Sequence, residues 1–265
     1  MTVVESIIIA IVERITEFLP ISSTGHMIIA EKLLHVTDSE FTKVFTVAIQ
    51  LGAILAVVVL YWRKFFDPKD FISFYLKLVV GVIPALLLGF LFSDKIDELL
   101  ESATTVAIAL IAGGIILLFI EQFFKNPTKT AERDVSFLNA LIIGFWQCLA
   151  MVPGVSRSAA SIIGGMQQKL TREAAAEFSF FLAVPTMMAA TGYKLLKHYK
   201  TNGGFSNYEL QLLGIGNLVA FVVAILAIKF FIGFLKKYGF KVWGIYRIVV
   251  GIALLILIRY GFIAA

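Results

Sequence analysis

The chain has 265 residues, of which 59% are apolar and only 15% charged, and its mean hydropathy is +0.90. This composition excludes a soluble globular domain and predicts an integral membrane protein. The net charge of +5 is typical of basic cytoplasmic loops and needs no nucleic-acid partner, while the single cysteine, Cys148, excludes an internal disulfide.

The chain begins with two short apolar segments separated by a break. They run from Thr2 to Leu19 and from Ser22 to Leu34, with Pro20 between them. Proline lacks an amide hydrogen and clashes with the preceding helical turn, so we expect two helices here and not one. Each is shorter than the roughly 20 residues that cross a bilayer comfortably. The pattern favours a re-entrant helical hairpin.

A second pair of short segments follows in mid-chain, and long apolar runs fill the rest. The pair covers Ser136 to Val152 and Ser156 to Lys169, broken at Pro153 and Gly154. The runs are continuous and do not alternate with period two, so they predict membrane-spanning helices. These helices are predicted at Phe45 to Trp62, Ile72 to Phe92, Thr104 to Ile120, Ala174 to Tyr193, Leu210 to Phe231 and Val242 to Ile258.

The order of these segments suggests an internal duplication. At an offset of about 133 residues "VFTVAIQLGA" pairs with "EFSFFLAVPT", and "PISST" resembles "PGVSRS" near the same offset. We predict one all-α polytopic membrane domain, residues 1–265, built from repeats 1–134 and 135–265. Each repeat would hold a hairpin and three spans, and an odd number of crossings gives the halves inverted topology.

Basic loops set the predicted orientation. Clusters of Lys and Arg follow the first span, the third span, the second hairpin and the fifth span, and all four fall on one side in this scheme. The positive-inside rule makes that side cytoplasmic and places the acidic loop 93–102 outside. Lys194, just before the polar stretch "KHYKTNGG", and Lys197 and Lys200 within it are an exception. The hairpins then enter from opposite faces, and their tips meet within the membrane.

The first hairpin carries two acids on one helical face. Glu13 and Glu17 are four residues apart, so their carboxylates lie one turn from each other and repel. In a low dielectric such a pair shares a proton, meets a cation or binds a metal. The alternative is that Arg14 or lipid headgroups neutralise it.

Hydroxyl groups and a histidine follow the break at Pro20. Ser22, Ser23 and Thr24 stand where the second helix starts, so we expect one of them to cap it. A helix start favours an anion. His26 is three residues from Ser23 and four from Ser22, within reach of either hydroxyl.

The second hairpin supplies an arginine at a helix start. "PGVSRSAAS" places Ser156 and Ser158 on either side of Arg157, with Ser161 one turn beyond. A positive charge opposes the dipole at this end of a helix unless an anion binds there. Facing helix starts with these side chains suit a phosphate ester, and phosphoryl chemistry is the leading hypothesis.

Both motifs resemble those of a known family. "ERITEFLPISSTGH" is similar to E-x-x-x-E-F-L-P-(I/V)-S-S-(T/S)-(G/A)-H, and "PGVSRSAAS" to P-G-x-S-R-S-x-x-T, the signatures of the bacterial undecaprenyl-diphosphate phosphatase (bacitracin-resistance) family. Ser161 departs from the family's threonine but keeps a hydroxyl. The resemblance covers essentially the whole chain, and implies removal of one phosphate from a C55 polyprenyl diphosphate with a divalent metal, regenerating the carrier for cell-wall precursors.

The motifs and the resemblance together give the predicted site. Catalytic roles fall on Glu17, Ser23, His26 and Arg157, substrate binding on Ser22, Thr24, Ser156, Ser158 and Ser161, and metal binding on Glu13 and Glu17. The metal is Mg²⁺ or Ca²⁺.

The sequence leaves several alternatives open. A polyprenyl-phosphate transporter or flippase shares inverted repeats and broken helices, although a pure carrier needs no nucleophile, base and acid pair together. The attacking group in this scheme is Ser22, Ser23 or water, and a homodimer is neither required nor excluded. Membrane lipids are the other expected partners.

The loop charges predict that the catalytic centre of the first hairpin faces the outer, periplasmic side of the bacterial inner membrane. Ser39→Cys should react with a membrane-impermeant thiol reagent added to intact cells, because the loop that carries Ser39 is expected outside. Asp67→Cys, in a predicted cytoplasmic loop, is the matched control. Protection of the first and labelling of the second would reverse the topology.

Overall fold

The protein is helical throughout the part of the chain that its structure, a computed structural model, describes: residues 1–37, 39–92, 95, 99 and 102–264. In these ranges the only β-type pairing is one bridge between Lys129 and Leu170. The predicted all-α class is confirmed. The helices are α1 (Val3–Phe18), α2 (Ser23–Leu33), α3 (Glu40–Ala48), α4 (Gln50–Leu60), α5 (Trp62–Phe65), α6 (Phe71–Leu91), α7 (Ala103–Phe123), α8 (Phe137–Cys148), α9 (Arg157–Gln167), α10 (Arg172–Asn202), α11 (Asn207–Tyr238) and α12 (Lys241–Arg259).

Six helical stretches of the described chain are long and apolar enough to span a membrane. They are α3 with α4, α6, α7, α10, α11 and α12. Each coincides with one of the predicted runs. Large apolar side chains stand exposed on them, such as Phe90 at 85% and Phe123 at 76%. In water such surfaces are aggregation-prone, whereas lipid tails solvate them. The chain is therefore a multi-pass membrane protein.

Two spans are longer than the sequence predicts. α10 has 31 residues and α11 has 32, whereas the apolar runs within them cover about 20 residues each. The polar stretch predicted as a loop is helical up to Asn202, and the helix ends at Gly203, whose φ is 75°. The predicted spans were too short because hydropathy detects only the part of a helix that lies in hydrocarbon, while helical hydrogen bonding continues beyond it.

Both predicted hairpins are present as pairs of short helices. α1 and α2 have 16 and 11 residues, and α8 and α9 have 12 and 11. At about 1.5 Å per residue they measure roughly 17 to 24 Å, less than a bilayer's hydrocarbon core. In each half three spanning stretches follow the hairpin. The repeat boundaries and the inverted relation of the halves stay predictions.

Contacts gather the predicted cytoplasmic loops at one end of the molecule. Lys64, after α4, forms an ion pair with Glu132, after α7. The amide of Lys129 donates to the carbonyl of Lys169, after α9, at 3.0 Å.

The loop after α11 joins the same end. A Cβ placed on Gly239 would lie 2.4 Å from an oxygen of Glu121, which itself pairs with Arg172 at 2.7 Å. All four basic loops thus lie together, as the positive-inside pattern requires.

The first hairpin opens at the opposite end. Tyr208, at the start of α11, donates to the carbonyl of Met1 at 3.4 Å, while the end of that long helix lies among the basic loops. The second hairpin begins and ends beside Glu132 and Lys169 at the basic end. The hairpins therefore enter from opposite ends. Residues 93, 94, 96–98, 100 and 101 of the acidic loop lie outside the described residues.

Packing in the interior brings the two tips together. α1 packs on α11, and α8 packs on α6 so closely that a Cβ on Gly144 would lie 2.2 Å from the carbonyl oxygen of Gly81. Phe18 meets the edge of Phe180 with ring centroids 5.4 Å apart. Ile21, just after the first break, is buried in the same apolar core. Both helix breaks are thus held inside the protein, where irregular backbone is tolerated in a membrane.

Candidate active site

The first break is strained at Ser22. This residue is buried, its φ is 66°, and its side chain makes no capping bond to α2, which begins at Ser23. A left-handed backbone at a residue other than glycine costs on the order of 1 kcal/mol or more. The expectation that a hydroxyl caps this helix is wrong, because the backbone of Ser22 is not in the extended conformation from which an N-cap hydroxyl reaches the first-turn amides. The first-turn amides keep no side-chain cap.

The second break is capped in the ordinary way. The Ser156 hydroxyl accepts from the amide of Ala159 at 3.2 Å, as a helix N-cap does. Gly154 has φ of 90°, and a Cβ there would lie 2.5 Å from the carbonyl oxygen of Val106. Only glycine fits this conformation and this close approach.

The two breaks are hydrogen-bonded to each other. The Ser158 hydroxyl donates to the carbonyl of Leu19, the last residue before Pro20, at 2.8 Å, and Ser156 donates to the same oxygen at 3.4 Å. This carbonyl lies at the end of α1, where it also accepts from the amide of Ile21 at 2.8 Å, and the serines of the second hairpin add to that bond. The sequence-based prediction that the tips meet is borne out by these contacts.

Glu17 forms the centre of the cluster that results. Its Oε2 accepts from the Ser23 hydroxyl at 2.8 Å, and its Oε1 accepts from Nε and Nη2 of Arg157 at 3.3 and 3.2 Å. The third guanidinium nitrogen of Arg157 donates to the carbonyl of Ser179 at 3.2 Å. The Glu17 and Arg157 side chains are each 12% exposed, so the cluster is nearly but not fully enclosed. One carboxylate thus joins a hydroxyl of the first hairpin to the arginine of the second.

His26 is oriented by two groups. Its Nδ1 lies 2.8 Å from the carbonyl oxygen of Ser22, and its Nε2 lies 2.8 Å from the hydroxyl of Tyr246 on α12. The two rings are parallel, with centroids 5.6 Å apart. A carbonyl only accepts, so Nδ1 carries the proton and Nε2 accepts from the tyrosine in the neutral ring. The hydrogen bonds of Ser23 and His26 go to different partners, not to each other.

Glu13 and Arg14 form a buried pair beside this cluster. The Arg14 side chain is fully buried and its Nη2 pairs with Oε1 of Glu13. Within the described part of the chain, Glu13 Oε2 and the Arg14 nitrogens Nε and Nη1 have no hydrogen-bond partner. Of the alternatives for the acid pair, neutralisation of Glu13 by Arg14 is the one found here. Oε2 of Glu13 takes no part in this ion pair.

The remaining predicted residues lie at the same place. Ser161 donates to the carbonyl of Arg157 at 2.8 Å and lies 2.6 Å from the hydroxyl oxygen of Ser179. Thr24 is partly buried at the start of α2. The hydroxyls of Ser156, Ser158 and Ser161 have protein partners, so their role in substrate binding stays a prediction.

Sequence reasoning missed Tyr246. It lies 220 residues from His26 along the chain, and neither motif includes it. The available signal was a tyrosine and an arginine together in the apolar run "GIYRIVVGIALLI", because polar groups in such a run need a partner.

Comparison with known proteins identifies the family. The model of the family described as "Bacitracin resistance protein BacA" matches residues 6–253, which include both helix breaks. The chain belongs to this family. The undecaprenyl-diphosphatase of Flavobacterium psychrophilum is 58% identical over 257 residues, covering 97% of this chain and 96% of that protein. That of Porphyromonas gingivalis is 50% identical over 279 residues, 98% of each chain. The undecaprenyl-diphosphatase 1 of Clostridioides difficile is 46% identical over 261 residues, 95% of this chain and 94% of the other.

The geometry predicts the tautomer of His26 in this family member. In ¹⁵N-histidine-labelled protein at neutral pH, Nδ1 of His26 should give a protonated-type resonance and Nε2 an unprotonated one, because the Ser22 carbonyl cannot donate. His26→Gln assigns the signal among the three histidines. Tyr246→Phe should perturb Nε2 but leave the proton on Nδ1. A proton on Nε2 in the unmodified protein would contradict the arrangement.

Proposed function

We propose that this protein hydrolyses undecaprenyl diphosphate to undecaprenyl phosphate and inorganic phosphate, which recycles the lipid carrier of cell-wall synthesis and links the protein to bacitracin resistance. The relatives of nearly full length are named for this activity, and the chain shares their family. The observation that carries the proposal is the contact of Ser23 and Arg157 through Glu17, inside a membrane protein. A nucleophile, a base and a phosphate-binding cation therefore lie within a few ångströms of one another.

Arg157 is the proposed phosphate ligand. It is the first residue of α9, where the helix dipole disfavours a cation, and Glu17 compensates it in the resting protein. A terminal phosphate can replace the carboxylate on the planar guanidinium through two parallel hydrogen bonds. Ser22, Thr24 and the uncapped amides at the start of α2, next to Ser23, would provide further donors. Substrate binding would thereby release Glu17 for chemistry.

Ser23 is the proposed nucleophile, and Glu17 its base. In the first step the Ser23 oxygen bonds to the terminal phosphorus, its proton passes to Glu17, and the phosphoanhydride bond breaks to free the lipid monophosphate. Water then attacks the phosphorus of the phosphoserine, the bond from phosphorus to the Ser23 oxygen breaks, and Glu17 returns its proton to that oxygen as inorganic phosphate leaves. His26 is placed to accept the proton of that water at Nε2 once Nε2 gives up the hydrogen bond from Tyr246. This pairing of Ser23 with Glu17 replaces the sequence-based pairing with His26.

Glu13 and Glu17 are the proposed ligands of a divalent cation, Mg²⁺ or Ca²⁺. The buried, unpartnered Oε2 of Glu13 fits such a role, because a bare carboxylate oxygen in an apolar site is costly. Within the described ranges no three His, Cys, Asp or Glu side chains cluster as metal ligands. Diphosphate oxygens would complete the coordination, as is common for Mg²⁺. When bound, the ion screens the charge of the diphosphate and polarises its bridging bond.

The remaining features of the proposal concern the surroundings of the site. The active site faces the periplasmic side, because the first hairpin opens away from the basic loops. Ser156, Ser158 and Ser161 contribute to substrate binding by fixing Arg157 and the tip of the first hairpin. Neither the substrate nor the fold requires a nucleic acid, and a homodimer is compatible with the large lipid-facing surface.

Transport of a polyprenyl phosphate is the second candidate. Two broken helices that enter from opposite ends and meet inside the protein are typical of transporters. The same binding groups serve both functions, since Arg157 binds phosphate whether or not it is cleaved. The hydrogen bond from Ser23 to Glu17 favours hydrolysis, because binding alone needs no activated hydroxyl.

The first functional prediction concerns activity and metal. Purified protein in detergent should release phosphate from a polyprenyl diphosphate, should lose this activity in excess chelator, and should regain it with added Mg²⁺ or Ca²⁺. A polyprenyl monophosphate is the control and should release none. Full activity in chelator would contradict the metal, and no release with any divalent ion would contradict the phosphatase function.

The second functional prediction concerns the serine and its base. Glu17→Gln should lower kcat/KM by about 1,000-fold, and so should Ser23→Ala. The kcat/KM of the double variant should be no more than about threefold below that of either single variant, because the two groups act as a unit. Ser22→Ala should cost no more than about tenfold, because Ser22 is proposed to bind the phosphate and not to attack it. Thr201→Ala, at the exposed end of α10, is the matched control and should keep wild-type activity. If Ser23→Ala keeps wild-type turnover while Glu17→Gln does not, water is the attacking group.

A further inference from the structure

Arg247 is a fully interior arginine on α12 that the two motifs do not contain. It is 1% exposed, and α12 is one of the six spanning stretches. Isolated arginines in an apolar environment are expensive, so each normally has a counter-ion or a binding task. Here every hydrogen bond that the structure gives the guanidinium goes to a backbone carbonyl, and none of them goes to a carboxylate within the described residues.

These carbonyls belong to three separate segments. Nη1 donates to Pro20 in the first break at 3.1 Å, and Nη2 donates to Gly154 in the second break at 2.9 Å. Nε and Nη2 also donate to Leu110 and Ala109 of α7 at 3.3 and 3.1 Å. One rigid guanidinium thus joins both helix breaks to a spanning helix. A lysine, with a single nitrogen, cannot reproduce this fork.

The helix that carries Arg247 is itself closely packed. α12 approaches α7 where Gly114 faces Gly244, and a Cβ on Gly114 would lie 2.7 Å from the Gly244 carbonyl oxygen. A Cβ on Gly113 would lie only 2.3 Å from Nη2 of Arg247. The guanidinium is therefore confined on one side by α7 and on the other by the two breaks.

We propose that Arg247 is a positioning residue that fixes the two helix breaks relative to each other and so holds Ser23 and Arg157 at reacting distance. Pro20 precedes the strained Ser22 by two residues, and Gly154 precedes Arg157 by three. Loss of these bonds frees two carbonyls in an apolar interior and lets the tips shift. A displacement of about 1 Å between reacting groups can lower turnover by about 100-fold.

The charge of Arg247 adds a second contribution. A positive charge at the meeting point of the breaks stabilises the negative charge that develops on the diphosphate in the transition state, so its loss lowers kcat. Position and charge are separable, because Arg247→Lys keeps the charge and loses the fork, whereas Gly113→Ala keeps the guanidinium and displaces it.

The test measures kcat, KM and thermal unfolding of full-length variants in detergent with a polyprenyl diphosphate. Arg247→Met should lower kcat per folded molecule by about 100-fold while KM stays within about threefold, because the lipid chain still binds. Arg247→Lys should have a kcat about tenfold higher than that of Arg247→Met, because it keeps the charge but not the fork. Gly113→Ala should lower kcat per folded molecule by about fivefold or more with a smaller fall in the unfolding midpoint than Arg247→Met, since it displaces the guanidinium without removing it and alanine favours the helix itself. Arg259→Met, an exposed arginine on α12, and Gly233→Ala, where a Cβ meets no neighbour, should stay within about twofold of wild type.

The outcomes separate this inference from the proposed function on which it rests. Inactive wild-type protein would overturn the proposed function itself. If the wild-type protein is active and both Arg247→Lys and Gly113→Ala keep its kcat per folded molecule, the positioning role is overturned and the proposed function stands. The positioning role would also be overturned if Arg247→Met loses activity only in proportion to its loss of folded protein, so that kcat per folded molecule is unchanged. Gly113→Ala decides the question if Arg247→Met does not fold.

Discussion

The fold depends on satisfying the backbone of two broken helices inside a membrane. Each break leaves carbonyls and amides without intrahelical partners, and in hydrocarbon every such group costs several kcal/mol. Leu19 receives the hydroxyls of Ser156 and Ser158, while Pro20 and Gly154 receive the guanidinium of Arg247. Each hairpin satisfies its own break only in part, as with the Ile21 amide on Leu19 and the Ser156 cap, and the hydrogen bonds to Pro20 and Gly154 come from α12. The two must meet, and α12 must lie beside them.

The reactive groups come together as a consequence of this pairing. Glu17 lies one turn before the first break, Ser23 begins the helix after it, and Arg157 begins the helix after the second break. Once the breaks are joined, these three side chains converge at 2.8 to 3.3 Å. Side chains held by contacts of this kind are preorganised, so the proposed substrate binding would need only the exchange of the Glu17 carboxylate on Arg157 for a phosphate. The strained backbone of Ser22 belongs to the same arrangement, because it directs a carbonyl to His26.

Much of this architecture follows from sequence. Continuous apolar runs placed the spans, Pro20 and Pro153 placed the breaks, and the two motifs placed Glu17, Ser23, His26 and Arg157 in one cluster. Their partners were not foreseeable in the same way. Whether Ser23 bonds to Glu17 or to His26 depends on the φ of Ser22, which no residue type dictates at that position. The contact of Glu13 with Arg14 depends on how the helix face is buried.

Tyr246 and Arg247 show the main limit of sequence reasoning. They interact with residues more than 90 positions away, and their neighbours in the chain are apolar. Spacing rules describe contacts within one helix, whereas these contacts depend on how helices from distant parts of the chain pack. The excess length of α10 and α11 has a related cause, since helical hydrogen bonding continues into water where hydropathy gives no signal.

If the site works as proposed, the substrate's diphosphate binds where the two breaks meet. An experimental structure of the protein with a polyprenyl methylene-diphosphonate, which cannot be hydrolysed at the bridge, tests this most directly. We expect the terminal phosphonate to lie within hydrogen-bond distance of both Arg157 and Ser23, with Glu17 released from the guanidinium. A phosphonate bound elsewhere, for example at the basic end beside Lys64 and Glu132, with Glu17 still paired to Arg157, would contradict it.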